Sequence, residues 1–204
     1  MRTRGETLIE ASAVATTRTS DIVLDFLPKL AIQANYTVLS LVAKGFDAGD
    51  VNIFTDQLTV TAHGYSTGVK GQFTTTGTLP GGISAATDYW IIKVDDDTFS
   101  IATSLANAEA GTVELINSTG SGTHTFTPTA FGGAVLKLQS SNDGSNFIDL
   151  PSCQVTLSAS GCSLFNVVEP AYRHLRFAFI PDAGAVDLKV ILNGHDSAGD
   201  TNAN

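Results

Sequence analysis

The four histidines, His63, His124, His174 and His195, lie far apart, and none stands in an HxH, HExxH or Cys/His spacing that would hold zinc. His63 directly precedes Gly64 and reads as the end of a strand at a turn. Asp95-Asp96-Asp97 gathers three carboxylates, the raw material of a calcium loop. The triplet falls between two alternating stretches, Tyr89 to Val94 and Thr98 to Ala102, where a solvated hairpin turn belongs. It also lacks the D-x-[DN]-x-[DN]-G spacing that rings calcium with oxygen. Asn142-Asp143-Gly144 reads the same way, and the sequence leaves calcium at Asp95–Asp97 open. Hydrolysis needs paired carboxylates or a nucleophile beside a base. Glutamate occurs only at Glu6, Glu10, Glu109, Glu114 and Glu169, and neither G-x-S-x-G nor a glycine-rich phosphate loop opening a helix is present. No catalytic residue, metal ligand or cofactor is assigned, and the expectation is a protein that is not an enzyme.

The side chains suited to contact are aromatic and cationic. Tyr65 and Trp90 are candidates for stacking on a glycan, although Tyr89 and Trp90 occupy opposite faces of one strand, so one of the two belongs to the core. Arg2, Arg4, Arg18 and Arg176 are candidate interface residues that would clamp acidic patches on neighbouring subunits, whereas Arg173 reads as solvated charge. Cys153 and Cys162 are too few for a disulfide scaffold. They flank an apparent hairpin, Gln154 to Leu157 and Ser163 to Asn166, turning at Ser158 to Gly161. In that hairpin Cys153 lies several residues from the level of Cys162, which predicts two free, packed thiols.

These side chains are carried on a chain of 204 residues with a net charge of −9 and a pI near 4.6. The acidity argues against a nucleic-acid partner, since phosphates are neutralised by lysine and arginine. A hydrophobic fraction of 43% speaks against intrinsic disorder. No apolar run is long enough to span a membrane. Met1 to Ser20 has three arginines and no apolar stretch of the secretory kind, and its small hydroxylated residues suggest an extended arm.

Period-two alternation dominates, the mark of half-buried strands. Val186, Leu188, Val190 and Leu192 alternate with Asp187, Lys189 and Asn193; Leu175, Phe177 and Phe179 form a second set, Leu136 and Leu138 a third. Asp143-Gly144 between alternating stretches predicts a hairpin, because glycine takes the positive φ of the turn. Asp21 to Phe26 and Leu30 to Thr37 add two strands. Between Gly45 and Thr129 threonine and glycine become frequent, with candidate strands at Gln57–Ala62, Lys70–Thr75, Asp88–Val94, Thr98–Ala102, Thr112–Ile116 and His124–Thr127. Ser104 to Ala110 suggests one helical turn before Gly111.

The expected fold is all-β: a β-sandwich host with a second small β-sandwich or barrel inserted in it. The division places an extended arm at 1–20, the host at 21–44 plus 129–196, the inserted part at 45–128 and a flexible tail at 197–204. Insertion at a hairpin tip is inexpensive, because loop-closure entropy grows only logarithmically with length.

Leu30-Ala31-Ile32-Gln33-Ala34-Asn35-Tyr36-Thr37 followed by Leu136-Lys137-Leu138-Gln139-Ser140-Ser141-Asn142-Asp143-Gly144-Ser145-Asn146-Phe147 resembles the small β-sandwich virion proteins of tailed bacteriophages. Phe147 stands where tryptophan is common there, and Tyr172-Arg173-His174-Leu175-Arg176 fits the later part of the pattern. The short turn usual after the first strand is replaced by the long central segment. That segment, with His63-Gly64-Tyr65-Ser66-Thr67-Gly68, Leu79-Pro80-Gly81-Gly82, Asp88-Tyr89-Trp90-Ile91-Ile92 and Asp97-Thr98-Phe99-Ser100-Ile101-Ala102, is similar to a β module of phage tail and virion proteins. Val69-Lys70-Gly71-Gln72-Phe73 departs from its usual continuation.

The resemblance implies a structural component of a tailed phage particle, assembled in the host cytoplasm and resident in the virion. Its partners would be other capsid or tail subunits and further copies of itself, with neither nucleic acid nor membrane. A capsid decoration or cement protein is favoured over a tail or head–tail accessory by small size and the lack of a fibrous repeat. The alternative is a carbohydrate- or receptor-binding module of the adsorption apparatus.

Overall fold

The computed structural model describes residues 3–16, 18–23, 29–168 and 174–195. They form strands β1 (Thr3–Val14), β2 (Arg18–Val23), β3 (Lys29–Val38), β4 (Lys44–Asp47), β5 (Val51–Asn52), β6 (Gln57–Thr59), β7 (Lys70–Thr75), β8 (Tyr89–Lys93) and β9 (Thr98–Ala102). After helix α1 (Leu105–Ala110) come β10 (Thr123–Pro128), β11 (Gly133–Ser141), β12 (Ile148–Leu157), β13 (Gly161–Val168), β14 (His174–Ala183) and β15 (Val186–His195). The fold is all-β, with α1 the single α-helix among the described residues.

Eight strands make two four-stranded antiparallel sheets, in the orders β1-β15-β3-β13 and β12-β11-β14-β2. The alternation legible in the sequence sets their inner faces. Ile32, Ala34, Leu136, Leu138, Leu175, Phe177, Phe179, Val186, Leu188 and Val190 are buried in one shared cluster between the sheets. On β15 the intervening Asp187 and Lys189 are only partly covered. Facing sheets of this kind are a β-sandwich.

The seven strands from β4 to β10 pair with one another and with no other described strand, in the order β4-β10-β7-β8-β9-β6-β5. The two edges of this sheet, β4 and β5, are consecutive in the chain and joined by the 3-10 turn Ala48–Asp50. Four Cα steps span at most about 14 Å, whereas six strand spacings laid flat would separate the edges by about 29 Å. The sheet must therefore roll up on itself, into an open barrel whose edge strands β4 and β5 are not paired with each other. Tyr65, Phe73, Phe99 and Phe126 fill it, with ring centroids 5.0–6.0 Å apart where they touch and tilted or edge-on geometries.

Local signals place the helix and the main hairpin. Ser104 Oγ accepts from Asn107 N–H at 3.1 Å, and Gly111 closes α1 in the left-handed region. β11 and β12 pair through the Asn142–Gly144 turn, with Gly144 at φ +72°.

Four expectations are corrected. Thr3–Val14 is not an arm: it pairs antiparallel with β15 from Thr3↔His195 to Val14↔Val186. Two register shifts break its period-two pattern, which is why its sequence does not read as a strand. Gln154–Leu157 and Ser163–Asn166 are not hairpin partners; β12 pairs with β11 in one sheet and β13 with β3 in the other, so the Ser158–Ser160 link crosses the sandwich. Cys153 is half-buried against the core, but Cys162 is exposed on β13, and both thiols are free. Thr112–Ile116 is extended without being a strand, held by Glu114 N–H to the Ile101 carbonyl (2.7 Å) and Ile116 N–H to Asp56 Oδ1 (2.8 Å). The tail at 197–204 and residues Arg2 and Arg173 lie outside the described residues.

Because Phe126 contacts three other rings at the middle of the barrel, Phe126→Ala should cost about 3–5 kcal/mol in denaturant unfolding. A loss below about 1 kcal/mol would mean that the barrel is not organised around this cluster.

Candidate functional site

The HGYSTG segment and the three aspartates meet at one end of the barrel. His63 is buried; its Nδ1 accepts from Tyr65 N–H at 2.9 Å, so its Nε2 carries the proton and donates to the Asp95 carbonyl at 3.0 Å. This fixes one neutral tautomer and leaves neither nitrogen for a metal or a substrate. Asp95 Oδ1 accepts from Asp97 N–H (2.8 Å), Asp97 Oδ1 from Ala62 N–H (2.7 Å), and Asp96 from Lys93 Nζ (2.7 Å). The Lys93 hydrogen bond holds the Asp96 carboxyl below the usual carboxylate range. The triplet thus ties two loops of the barrel together. Among the described residues, no group of three or more histidine, cysteine or acidic side chains is arranged to hold a metal.

His124 is likewise buried, between Thr75 Oγ1 (2.9 Å from Nδ1) and the Thr119 carbonyl (3.3 Å from Nε2). Asp143 is a second turn-builder: its oxygens accept from the backbone of Ser145 and Asn146, the Asn146 amide and the Ser141 hydroxyl. Those bonds, the Asn146 backbone N–H first, drive its carboxyl far below the usual range.

The proposed contact residues separate. Tyr65 offers no surface to a glycan; it is buried against His63, Phe99 and Phe126, and its hydroxyl donates to the Val42 carbonyl at 2.7 Å. Burial raises its phenol pKa. Tyr89 is the core member of its pair, and Trp90 is half-exposed on the outer barrel surface with Lys70 Nζ 5.9 Å from its ring centroid. Lys70 also lies 3.5 Å from Asp88, whose carboxyl is lowered mainly by the hydrogen bond from Gln72.

Arg176 stands on the outer face of the sandwich with its guanidinium 4.1 Å from the Phe147 ring centroid, its Nε donating to Gln139 Oε1 at 2.9 Å. Gln139 in turn donates to Asp149 (2.6 Å), which Lys137 also bonds (3.0 Å). These bonds, Gln139's first, lower the Asp149 carboxyl. Arg176 therefore presents a preorganised polar patch rather than a free cation. The backbone of Arg4 pairs with Gly194 and that of Arg18 with Phe179, so the two arginines sit on β1 and β2, edge strands of the two sheets.

The sequence reading missed a concave feature of the surface, a cleft of about 460 Å³ where barrel and sandwich meet. Val38 to Leu41 and Thr129 to Phe131 line it from the two crossings, with Ser158–Ser160 and Gly184 opposite. It holds no charged side chain and no acid–base pair. Four segments remote in sequence build it, so no local pattern could have shown it. The exposed apolar side chains Ile53, Phe54, Val113 and Leu115 were also missed; Phe54 at 92% exposure stands at the tip of the β5–β6 turn.

No protein-family model matches the chain, and no curated protein matches it. Among solved structures it is similar to PBSX exported protein XepA, with 9% identity and a TM-score of 0.39 over 98% of this chain and 40% of that one. It is similar to SPBc2 prophage-derived protein YomS at 8% identity and TM-score 0.29, covering 94% of this chain and 93% of that one. A third, GEBA250068378 from Sulfurospirillum deleyianum, shows 7% identity and TM-score 0.30 over 96% and 99% of the two chains. The chain spans less than half the length of XepA. No helix among the described residues is long and apolar enough to cross a membrane.

The Asp143 carboxyl is lowered in the folded state, so its contribution to stability is complete above about pH 5 and is lost progressively as pH falls through the unfolded value toward the folded one. Wild type should be more stable than Asp143→Ala at neutral pH, with a gap in urea midpoint that narrows between about pH 4 and pH 2. A gap of constant size across that range, or no gap at neutral pH, would contradict the assigned role.

Proposed function

We propose that the protein is a non-enzymatic structural component of a tailed phage particle, with the barrel as a module inserted into a docking sandwich. The observation that carries this reading is the fate of its reactive side chains. His63, His124, Asp95, Asp97 and Asp143 are each bonded to the backbone of nearby turns, while the surface of the described residues offers sheet edges, an uncharged cleft, a polar patch at Arg176 and apolar tips. Such a surface sticks without reacting. The LQSSNDGSNF hairpin and the HGYSTG segment supply the tailed-phage part of the reading. The compact sandwich and the absence of a fibrous repeat favour decoration or cement on the capsid over a tail or head–tail position, with other virion subunits and copies of itself as partners.

Electron microscopy of purified particles tests this, with antibody against the barrel to mark the chain. Regular density on every capsomer supports decoration, and a few copies at one vertex moves the protein to the tail. Its absence from purified particles contradicts the proposal.

A second reading, a glycan-binding module, rests on Trp90, the candidate stacking residue that remains at the surface. On a glycan array, binding that disappears with Trp90→Ala would favour it; no binding by the wild-type protein would remove it.

A further inference from the structure

We propose that the outer edge of β13 is a self-association site, at which two copies of this chain pair antiparallel and join their sandwiches into one continuous sheet. β13 is an edge strand, paired with β3 on one side and with no described strand on the other. A free edge carries unpaired N–H and C=O groups, and proteins ordinarily blunt it with charge, proline, a bulge or extreme shortness.

The other sandwich edges show those devices. β1 carries Arg4, Glu6 and Glu10 and two register shifts. β12 carries Asp149 and Pro151, a register shift and Ser152 at φ +62°. β2 carries Arg18 and Asp21 within six residues. In the barrel, β4 has Lys44 and Asp47 in four residues, and β5 is two residues long.

β13, Gly-Cys-Ser-Leu-Phe-Asn-Val-Val, has none of them. It contains no charge and no proline, and it keeps unbroken register with β3 over eight pairs, Gly161↔Tyr36 to Val168↔Lys29. Leu164 is 58% exposed and Cys162 is exposed beside it, whereas Ser163 turns inward.

The occupant that fits is a second copy. An antiparallel pair of identical strands is related by a two-fold axis, so the same edge is its own complement. Each copy carries a net charge of −9, which opposes close approach at most orientations. Over its eight residues β13 adds no charge of its own to that repulsion. The pairing involves only the chain itself and stands independently of the particle reading.

Analytical ultracentrifugation and pulsed dipolar spectroscopy of the full chain test it. The expected result is a dimer, and a spin label on Cys162 in a Cys153→Ser background should report backbone positions within about 20 Å of each other, as any well-overlapped antiparallel register of β13 requires. Pairing through β1, at the far edge of the same sheet, would separate them by about 34 Å or more, seven strand spacings. Leu164→Lys, a solvent-facing change, should convert the dimer to monomer with its unfolding transition retained. Should that variant not fold, Cys162→Lys makes the same substitution of charge at the other exposed position. A wild-type monomer at all accessible concentrations, a long label distance, or a dimer indifferent to a folded lysine variant each overturns the proposal. So does binding of a foreign extended peptide at this edge by a chain that stays monomeric.

Discussion

The turn between β14 and β15 ties both crossings between sandwich and barrel to one place. The Ala185 carbonyl accepts from Leu39 N–H at 2.9 Å on the way into the barrel, and the Ala183 carbonyl from Gly132 N–H at 3.3 Å on the way out. Between them Gly184 lies at φ +79°, where an added Cβ would stand 2.7 Å from Phe131 Cα. Only glycine meets both demands. Ala185 and Ala15 are buried in the aromatic cluster of the barrel, so the seam is packed as well as bonded. A barrel joined to a sandwich by two crossings could hang on flexible linkers; here both crossings are bonded to the β14–β15 turn, and the barrel is seated against it.

The same economy governs the polar residues. A buried donor or acceptor without a partner costs about 1–3 kcal/mol, and a small barrel with long loops has many such groups to satisfy. The aspartates and histidines that could have done chemistry are the short side chains that satisfy them. Asp56 reaches across to Ile116, Asp97 to Ala62, and His63 to both Tyr65 and Asp95. This is the physical link between a chain rich in turns and the reading of its surface as adhesive rather than catalytic.

Much of the fold was legible because a side-chain period of two is a direct readout of one buried face. β7 and β9 occupy the residues their alternation indicates, and β14 and β15 do so over their inner positions. The failures have a common cause in long-range pairing. β1 is dephased by bulges, β5 is too short to alternate, and nothing local distinguishes a hairpin from a link that crosses between sheets, as at Ser158–Ser160. Strand geometry put Trp90 and Tyr89 on opposite faces with one of them in the core, and the core member is Tyr89. Tyr65 was not, because it lies in an irregular loop whose burial is decided by Phe99 and Phe126.

Whether the barrel is seated or merely tethered decides whether it can act as a fixed projection, and ¹⁵N relaxation of the intact protein in solution measures this most directly. The amides of β7–β10 and those of β11, β14 and β15 should report one shared rotational correlation time. A distinctly shorter correlation time for the barrel amides would show that the two bodies reorient independently, and the account of a fixed seat would fail.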